Sequence, residues 1–171
     1  MRRFLLSSLF TVAVALLLAP AASATCTCEN TINGTSGEDR LDGGALVDCI
    51  FGGDGGDQIY GYDSADCLYG EGGPDGIYGG TGADEIFNGP SGIYGDYADG
   101  WEGSDLIDGG DDVDTIVGYT QNDIIVGGDG NDGLYGEHDN DSLTGQGGTD
   151  YVAGGGGTDF CDGETEVNCE I

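Results

Sequence analysis

The sequence predicts an all-β protein, a parallel β-solenoid built from nonapeptide repeats. Three columns carry that prediction. Laid out in nines, the chain gives units starting at Gly34, Gly43, Gly52, Gly61, Gly70 and Gly79, and after one break at Gly100, Gly109, Gly118, Gly127, Gly136, Gly145 and Gly154. All 13 begin with Gly, and all 13 carry Asp in sixth place: Asp39, Asp48, Asp57, Asp66, Asp75, Asp84, Asp105, Asp114, Asp123, Asp132, Asp141, Asp150 and Asp159. The eighth place is aliphatic from Leu41 and Ile50 to Leu143 and Val152, and Cys161 closes the column. Chance does not hold three columns in register over so many units. A fixed short period is the mark of a repeat fold, in which one unit is too small to bury its apolar face alone.

Each place has a physical reading. Glycines permit positive φ and close backbone approach, so places one to five form a tight turn. Places seven to nine set one apolar residue between two outward ones, which is a short strand. Stacking the units buries the aliphatic residues as a row. With two units per coil, two thin sheets face each other. The sixth-place Asp then recurs at the end of every turn, one above the next at the strand spacing of ~4.8 Å.

Those stacked carboxylates point to chemistry. Asp and Gly are ordinary turn formers, and a single such turn would pass for a solvated acidic loop. Thirteen in register would not, because Asn or Ser would serve the turn without the mutual repulsion. A hard divalent cation between turns removes the conflict. Ca²⁺ takes six to eight oxygens from carboxylates and carbonyls in flexible geometry, and Gly-rich turns expose carbonyls.

The unit Gly52–Tyr60, read as Gly-Gly-x-Gly-x-Asp-x-aliphatic-x, resembles the repeat of the RTX calcium-binding nonapeptide family. It recurs with all its features at Gly79–Phe87 and Gly127–Tyr135, and the resemblance covers Gly34 to Asp162. It implies a right-handed parallel β-roll with Ca²⁺ between successive turns on each edge. The sixth-place Asp would give the side-chain ligand and turn carbonyls most of the others, which nominates the 13 aspartates named above. The best-matching turns have Gly in places one, two and four: Gly52, Gly53 and Gly55; Gly79, Gly80 and Gly82; Gly127, Gly128 and Gly130; Gly154, Gly155 and Gly157. Place two departs at Tyr62, Glu71, Trp101, Tyr119, Glu137 and Gln146, and place four at Leu46, Ser64, Asp112, Gln121 and Asp139. Weaker sites are expected there, above all beside Leu46 and Ser64. With ladder neighbours two units apart, the six-unit block leaves four gaps and the seven-unit block five, nine ions in all.

In chain order, Met1 to Ala24 reads as a secretory signal peptide: Arg2 and Arg3, an apolar run from Leu5 to Leu18, and the small-x-small site Ala22-Ser23-Ala24. The apolar run is short for a membrane anchor. Residues 25–33 resemble a degenerate unit with Asn30 and Ile32 in the Asp and aliphatic places, and are expected to cap the array. The break, residues 88–99, is expected to form an irregular loop on one edge, with a strand persisting at Gly92-Ile93-Tyr94-Gly95 because it repeats Gly76-Ile77-Tyr78-Gly79. Residues 163–171 close the array. Six cysteines in a secreted chain suggest disulfides rather than zinc, given one His. Cys49 and Cys67, both in place seven and one coil apart, are expected to pair, as are Cys161 and Cys169. Cys26 and Cys28 are left over, with Cys28 a competitor for Cys49.

Without the signal segment only Arg40 faces 33 acids. Binding to nucleic acid or to an anionic membrane surface by charge is excluded, and no membrane insertion is expected. No nucleophile, base and acid arrangement appears, His138 sits in a variable turn position, and the abundant acids belong to the repeat, so the chain is not expected to be an enzyme. The expected function is a complete secreted calcium-binding protein with a structural or interaction role. The alternative is an extracellular adhesin or carbohydrate-binding module, partnered by a polysaccharide or protein. It would use place-nine aromatics, Phe51, Tyr69 and Phe87 on one sheet and Tyr60 and Tyr78 on the other. Cross-strand packing is the plainer reading of those rings. An ice-binding surface lacks the flat Thr and Asn rows it needs.

Overall fold

The computed structural model describes residues 27–169; the segment expected to be a signal peptide, Cys26 and residues 170–171 lie outside them. The chain runs through β1 (Asn30–Asn33), β2 (Arg40–Gly44), β3 (Asp48–Asp54), β4 (Gln58–Asp63), β5 (Cys67–Gly72), β6 (Gly76–Thr81), β7 (Glu85–Pro90) and β8 (Tyr97–Glu102). It continues through β9 (Leu106–Asp111), β10 (Thr115–Thr120), β11 (Ile124–Gly130), β12 (Gly133–His138), β13 (Ser142–Gly148), β14 (Tyr151–Gly156), β15 (Phe160–Asp162) and β16 (Thr165–Val167). Odd strands form one eight-stranded sheet in order β1 to β15, and even strands form the other, from β2 to β16. Every pair is parallel. Two units per coil is therefore the observed arrangement, and the fold is a parallel β-solenoid.

The core is the eighth-place column. Ile50, Ile59, Leu68, Ile77, Ile86, Ile107, Ile116, Ile125, Leu134, Leu143 and Val152 are fully buried between the sheets, and Ile32 and Cys161 pack against the ends of the row. The place-nine rings lie on the outer faces, half-buried against one another. Phe51 and Tyr69 stack at 4.9 Å, Tyr69 and Phe87 at 5.2 Å, and Tyr60 and Tyr78 at 4.9 Å.

Two expectations are corrected. At the break the strand is not at Gly92–Gly95: Ile93 and Tyr94 are 88% and 67% exposed, in a turn. The strand is β8, with Ala98 in the core opposite Ile77 and Ile116. Four apolar-looking letters resembled a strand, but the step of four from Asp96 to Gly100 matches the step from Asp to the next unit's first place in every regular unit, and this count sets the register. The segment is one unit with three residues inserted in its turn.

The second correction concerns Cys49. It does lie directly beside Cys67 across β3 and β5, as expected, but its disulfide is to Cys28. In-register neighbours in a parallel sheet project side by side, whereas a disulfide needs its Cβ vectors to converge. Cys28, arriving from outside the sheet just before β1, has no such constraint. Cys67 is also disulfide-bonded, and Cys161 is bonded to Cys169 as expected.

Candidate metal centre

Most turns share one backbone shape, with places two and four in the left-handed region whether or not the residue is glycine; the first two turns, at Thr35 and Leu46, lack it, and Gly103 and Gly130 lack it at place four. Gly53 (φ 106°) and Gly55 (φ 132°) do so, and so do Tyr62 (φ 79°), Ser64 (φ 89°), Glu71 (φ 71°) and Asp139 (φ 72°). Ten non-glycine residues at these places share that conformation, which costs an L-residue on the order of 1 kcal/mol or more each. The departures from Gly at which weaker sites are expected keep the shared backbone conformation, except at Leu46. Ser64 belongs to a regular turn, while the turn holding Leu46 shows no positive φ at places two or four.

The sixth-place aspartates join successive coils. One carboxylate oxygen accepts from the backbone N–H of the Asp one coil earlier. On one edge the series of donors and acceptors runs Asp39, Asp57, Asp75, Asp96, Asp114, Asp132 and Asp150, at 2.7–2.9 Å, and ends with Asp150 N–H donating to Glu164. On the other it runs Asp48, Asp66, Asp84, Asp105, Asp123, Asp141 and Asp159, at 2.7–3.0 Å, with the Asn30 amide donating to Asp48 at its start. Both ladders pass through the break without interruption. Asp96 is therefore a site residue missed from the sequence, although it could have been found by counting back from Gly100.

The second oxygen of these groups has no partner. The Oδ2 atoms of Asp48, Asp57, Asp66, Asp75, Asp84, Asp96, Asp105, Asp114, Asp123, Asp132, Asp141, Asp150 and Asp159 are buried and accept no hydrogen bond. Asp39 differs: its Oδ2 accepts from Thr35 N–H at 2.6 Å and from Thr35 Oγ1 at 2.7 Å. An ionised carboxylate left half-satisfied in a dry turn is costly, and the titration follows. Burial, reinforced by neighbouring ladder carboxylates, pushes Asp66 and Asp141 up to about 6, Asp75 and Asp114 to about 7, and Asp96 and Asp123 to about 8. The backbone N–H that each accepts offsets only part of this.

Place one explains what surrounds that oxygen. A Cβ on Gly52 would stand 2.6 Å from Asp57 Oδ2 and 2.5 Å from the Gly70 carbonyl of the next coil; on Gly43, 2.7 Å from both Asp48 Oδ2 and the Gly61 carbonyl. Glycine thus leaves a cradle with two converging oxygens, one from a carboxylate. At places two and four, Tyr62 O and Ser64 O lie against Gly80 and Gly82 of the next coil. Among the described residues no three His, Cys, Asp or Glu side chains gather around one point. A cation here would draw mainly on carbonyls, with one unpaired carboxylate oxygen per turn. That all-oxygen set suits Ca²⁺ and fits neither zinc nor a soft metal.

A parallel solenoid that presents buried, half-satisfied carboxylates on both edges is a repeat scaffold with oxygen donors at every coil. The chain matches the family described as RTX calcium-binding nonapeptide repeat (4 copies) over residues 29–59, 48–77, 60–90, 92–116, 108–143 and 134–161, and it belongs to that family. No curated protein matches it.

Proposed function

We propose that this is a secreted calcium-binding protein, structural or interactive rather than catalytic, whose coils fold on binding Ca²⁺ in both ladders. The observation that carries the reading is the set of buried Asp Oδ2 atoms without partners. Seven aspartates on each edge leave six gaps per ladder, twelve in all, against the nine counted when the break is taken to divide the array. The sixth-place aspartates and the carbonyls of Gly-rich turns are the ligands in this reading. The Asp39 turn is the least suited, because Thr35 already uses its oxygen.

Folding is tied to the ion by the weakness of everything else. The core is one side chain thick per unit. The chain has 37 glycines, which lose the most freedom on ordering. Ten strained turn residues together cost on the order of 10 kcal/mol, as much as a domain's whole net stability. Ion binding free energy then becomes folding free energy. An extracellular affinity of ~10⁻⁴–10⁻³ M per site is expected, with cooperativity because each ion orders the next turn. Secretion rests on the segment Met1–Ala24, with the mature chain beginning at Thr25, and on cysteines used as disulfides. Circular dichroism and small-angle scattering during a calcium titration test the proposal. Chelated protein should be expanded and lack β signal, millimolar Ca²⁺ should collapse it, and Mg²⁺ should do so poorly. A chelated chain with the same compact β signature would leave only a Gly-rich solenoid.

A further inference from the structure

One edge carries an uneven column at place two: Gly44, Tyr62, Gly80, Trp101, Tyr119, Glu137 and Gly155. Tyr62, Trp101 and Tyr119 are 46%, 49% and 44% exposed. All three have left-handed backbones, at φ 79°, 75° and 87°, where glycine would serve the turn better. The turn gives no reason for large rings at its most strained position.

The rings frame a groove. Trp101 stacks on Tyr119 at 5.9 Å, one coil along, and Tyr62 stacks on Tyr60 at 6.0 Å. Tyr60 in turn lies parallel to Tyr78 of the next coil, within 6°, Tyr62 is tilted 26° from Tyr60, and Trp101 is tilted 22° from Tyr119. Between them stands Gly80, in register with each. The missing side chain opens a groove of about 360 Å³ lined by Tyr60, Tyr62, Tyr78, Gly80 and Trp101, with Asp63 and Thr81 at its rim. Thr81 is flanked in register by Asp63 and Glu102, one carboxylate on either side.

Size and charge select the occupant. Two coils set the Tyr62 and Trp101 backbones ~9.6 Å apart, with the Tyr62 hydroxyl donating to Asp42 at 3.0 Å on the far side of the groove. Contacts of ~3.5–4 Å to each face leave roughly 2 Å between the outermost carbons of whatever sits there. That is too wide for a flat ring pressed on both sides and matches a tetrahedral alkylammonium. The formal charge of −30 attracts cations. The same aromatic row already holds one: the Arg40 guanidinium lies 4.2 Å from the centre of the Tyr60 ring and pairs with Asp42 at 2.7 Å. Among the described residues Arg40 is the only Lys or Arg, so they offer no second such cation for the groove. We propose that the groove between Tyr62 and Trp101 binds a small quaternary ammonium cation, held by cation–π contact with the two rings and by the negative charge of Asp63 in its lining.

Trp101 is the sole tryptophan and reports on the site directly. Choline chloride and tetramethylammonium chloride should each change its fluorescence saturably in calcium-loaded full-length protein at fixed ionic strength. Sodium chloride and 3,3-dimethylbutanol, the uncharged isostere of choline, should not. Tyr62→Gly removes one face while suiting the turn, so it should keep the β signal and resist unfolding at least as well as wild type. It should nonetheless bind choline roughly fivefold or more weakly. Asp63→Asn should weaken binding by less. The proposal is overturned by an absent response in protein with intact β signal, by an equal response to the isostere, by unchanged affinity in Tyr62→Gly, or by binding of soluble oligosaccharides in place of choline. These outcomes leave the calcium reading untouched, because the titration is made on protein already folded.

Discussion

The coil segment Asn88–Asp99 and its neighbour Gly109–Val117 lie side by side in the same sheet, β8 against β10. The second follows the nonapeptide pattern in the three diagnostic columns. The first has Asn88 in place of the opening glycine, three extra residues in its turn, and Ala98 where the neighbour has Ile116. Yet Asp96 N–H donates to Asp114 at 2.8 Å, as in any regular pair, and Ala98 is as buried as Ile116. The four-residue step from Asp to the first place of the next unit is invariant, while the length of chain before the Asp is free. The strand and carboxylate define the coil, and the turn only has to reach them.

The largest effect should come from place one. Gly109→Val would drive its side chain toward the Gly127 carbonyl and Asp114 Oδ2, the latter 2.7 Å from its Cβ. Overpacking of this kind costs about 3 kcal/mol, so urea unfolding in saturating Ca²⁺ should show a clear drop in the midpoint. Asn88→Gly, at the equivalent place, removes a buried amide with no hydrogen-bond partner and should change stability by less than ~1 kcal/mol. Equal losses in the two variants would show that the irregular coil is not built as described.

Asp96→Ala and Asp114→Ala come next. Each strips the acceptor from a buried backbone N–H, that of Asp75 or Asp96, at a cost of about 1–3 kcal/mol. Both should move the calcium midpoint upward by similar amounts. A silent Asp96→Ala would return residues 88–99 to the status of a passive loop.

Acidity sharpens the comparison further. In the calcium-free protein the folded-state values, about 7 for Asp114 and about 8 for Asp96, lie above the ordinary 3.8. The folded chain then holds protons that the unfolded chain has lost, so stability falls as pH rises through that window. Any compact calcium-free form should appear near pH 4 and be lost by about pH 8. Asp96→Asn should flatten the upper end of the curve, as followed by circular dichroism. The smallest effect is expected from deleting Gly92–Tyr94, which restores a nine-residue period with Asp96 still in sixth place. Thermal unfolding should shift within the range of ordinary surface changes, about 0.5 kcal/mol.

Most of the solenoid was legible because three columns state it repeatedly: Asp57, Ile59 and Gly61 recur in kind along the array. Two units per coil and the Cys49–Cys67 adjacency followed from counting alone. Asp96 was hidden because Gly92–Gly95 repeats the letters of Gly76–Gly79, whereas the register is carried by the step of four from Asp96 to Gly100. The Cys28–Cys49 bond was hidden because spacing gives proximity but not the direction of a Cβ. The left-handed backbones of Tyr62 and Trp101 were unreadable for a related reason. Residue type suggested a poorer turn there, while the stacked coils above and below impose the same turn on any residue.

Direct counting of bound calcium reaches the central claim with the fewest intermediate assumptions. Equilibrium dialysis of the full-length protein at saturating Ca²⁺ should give about twelve ions per chain, from six gaps in each unbroken ladder, and Asp96→Ala should lose about two, one on either side of that residue. A count near nine that Asp96→Ala leaves unchanged would contradict the continuous ladder, and a count near zero would contradict calcium binding by the aspartates altogether.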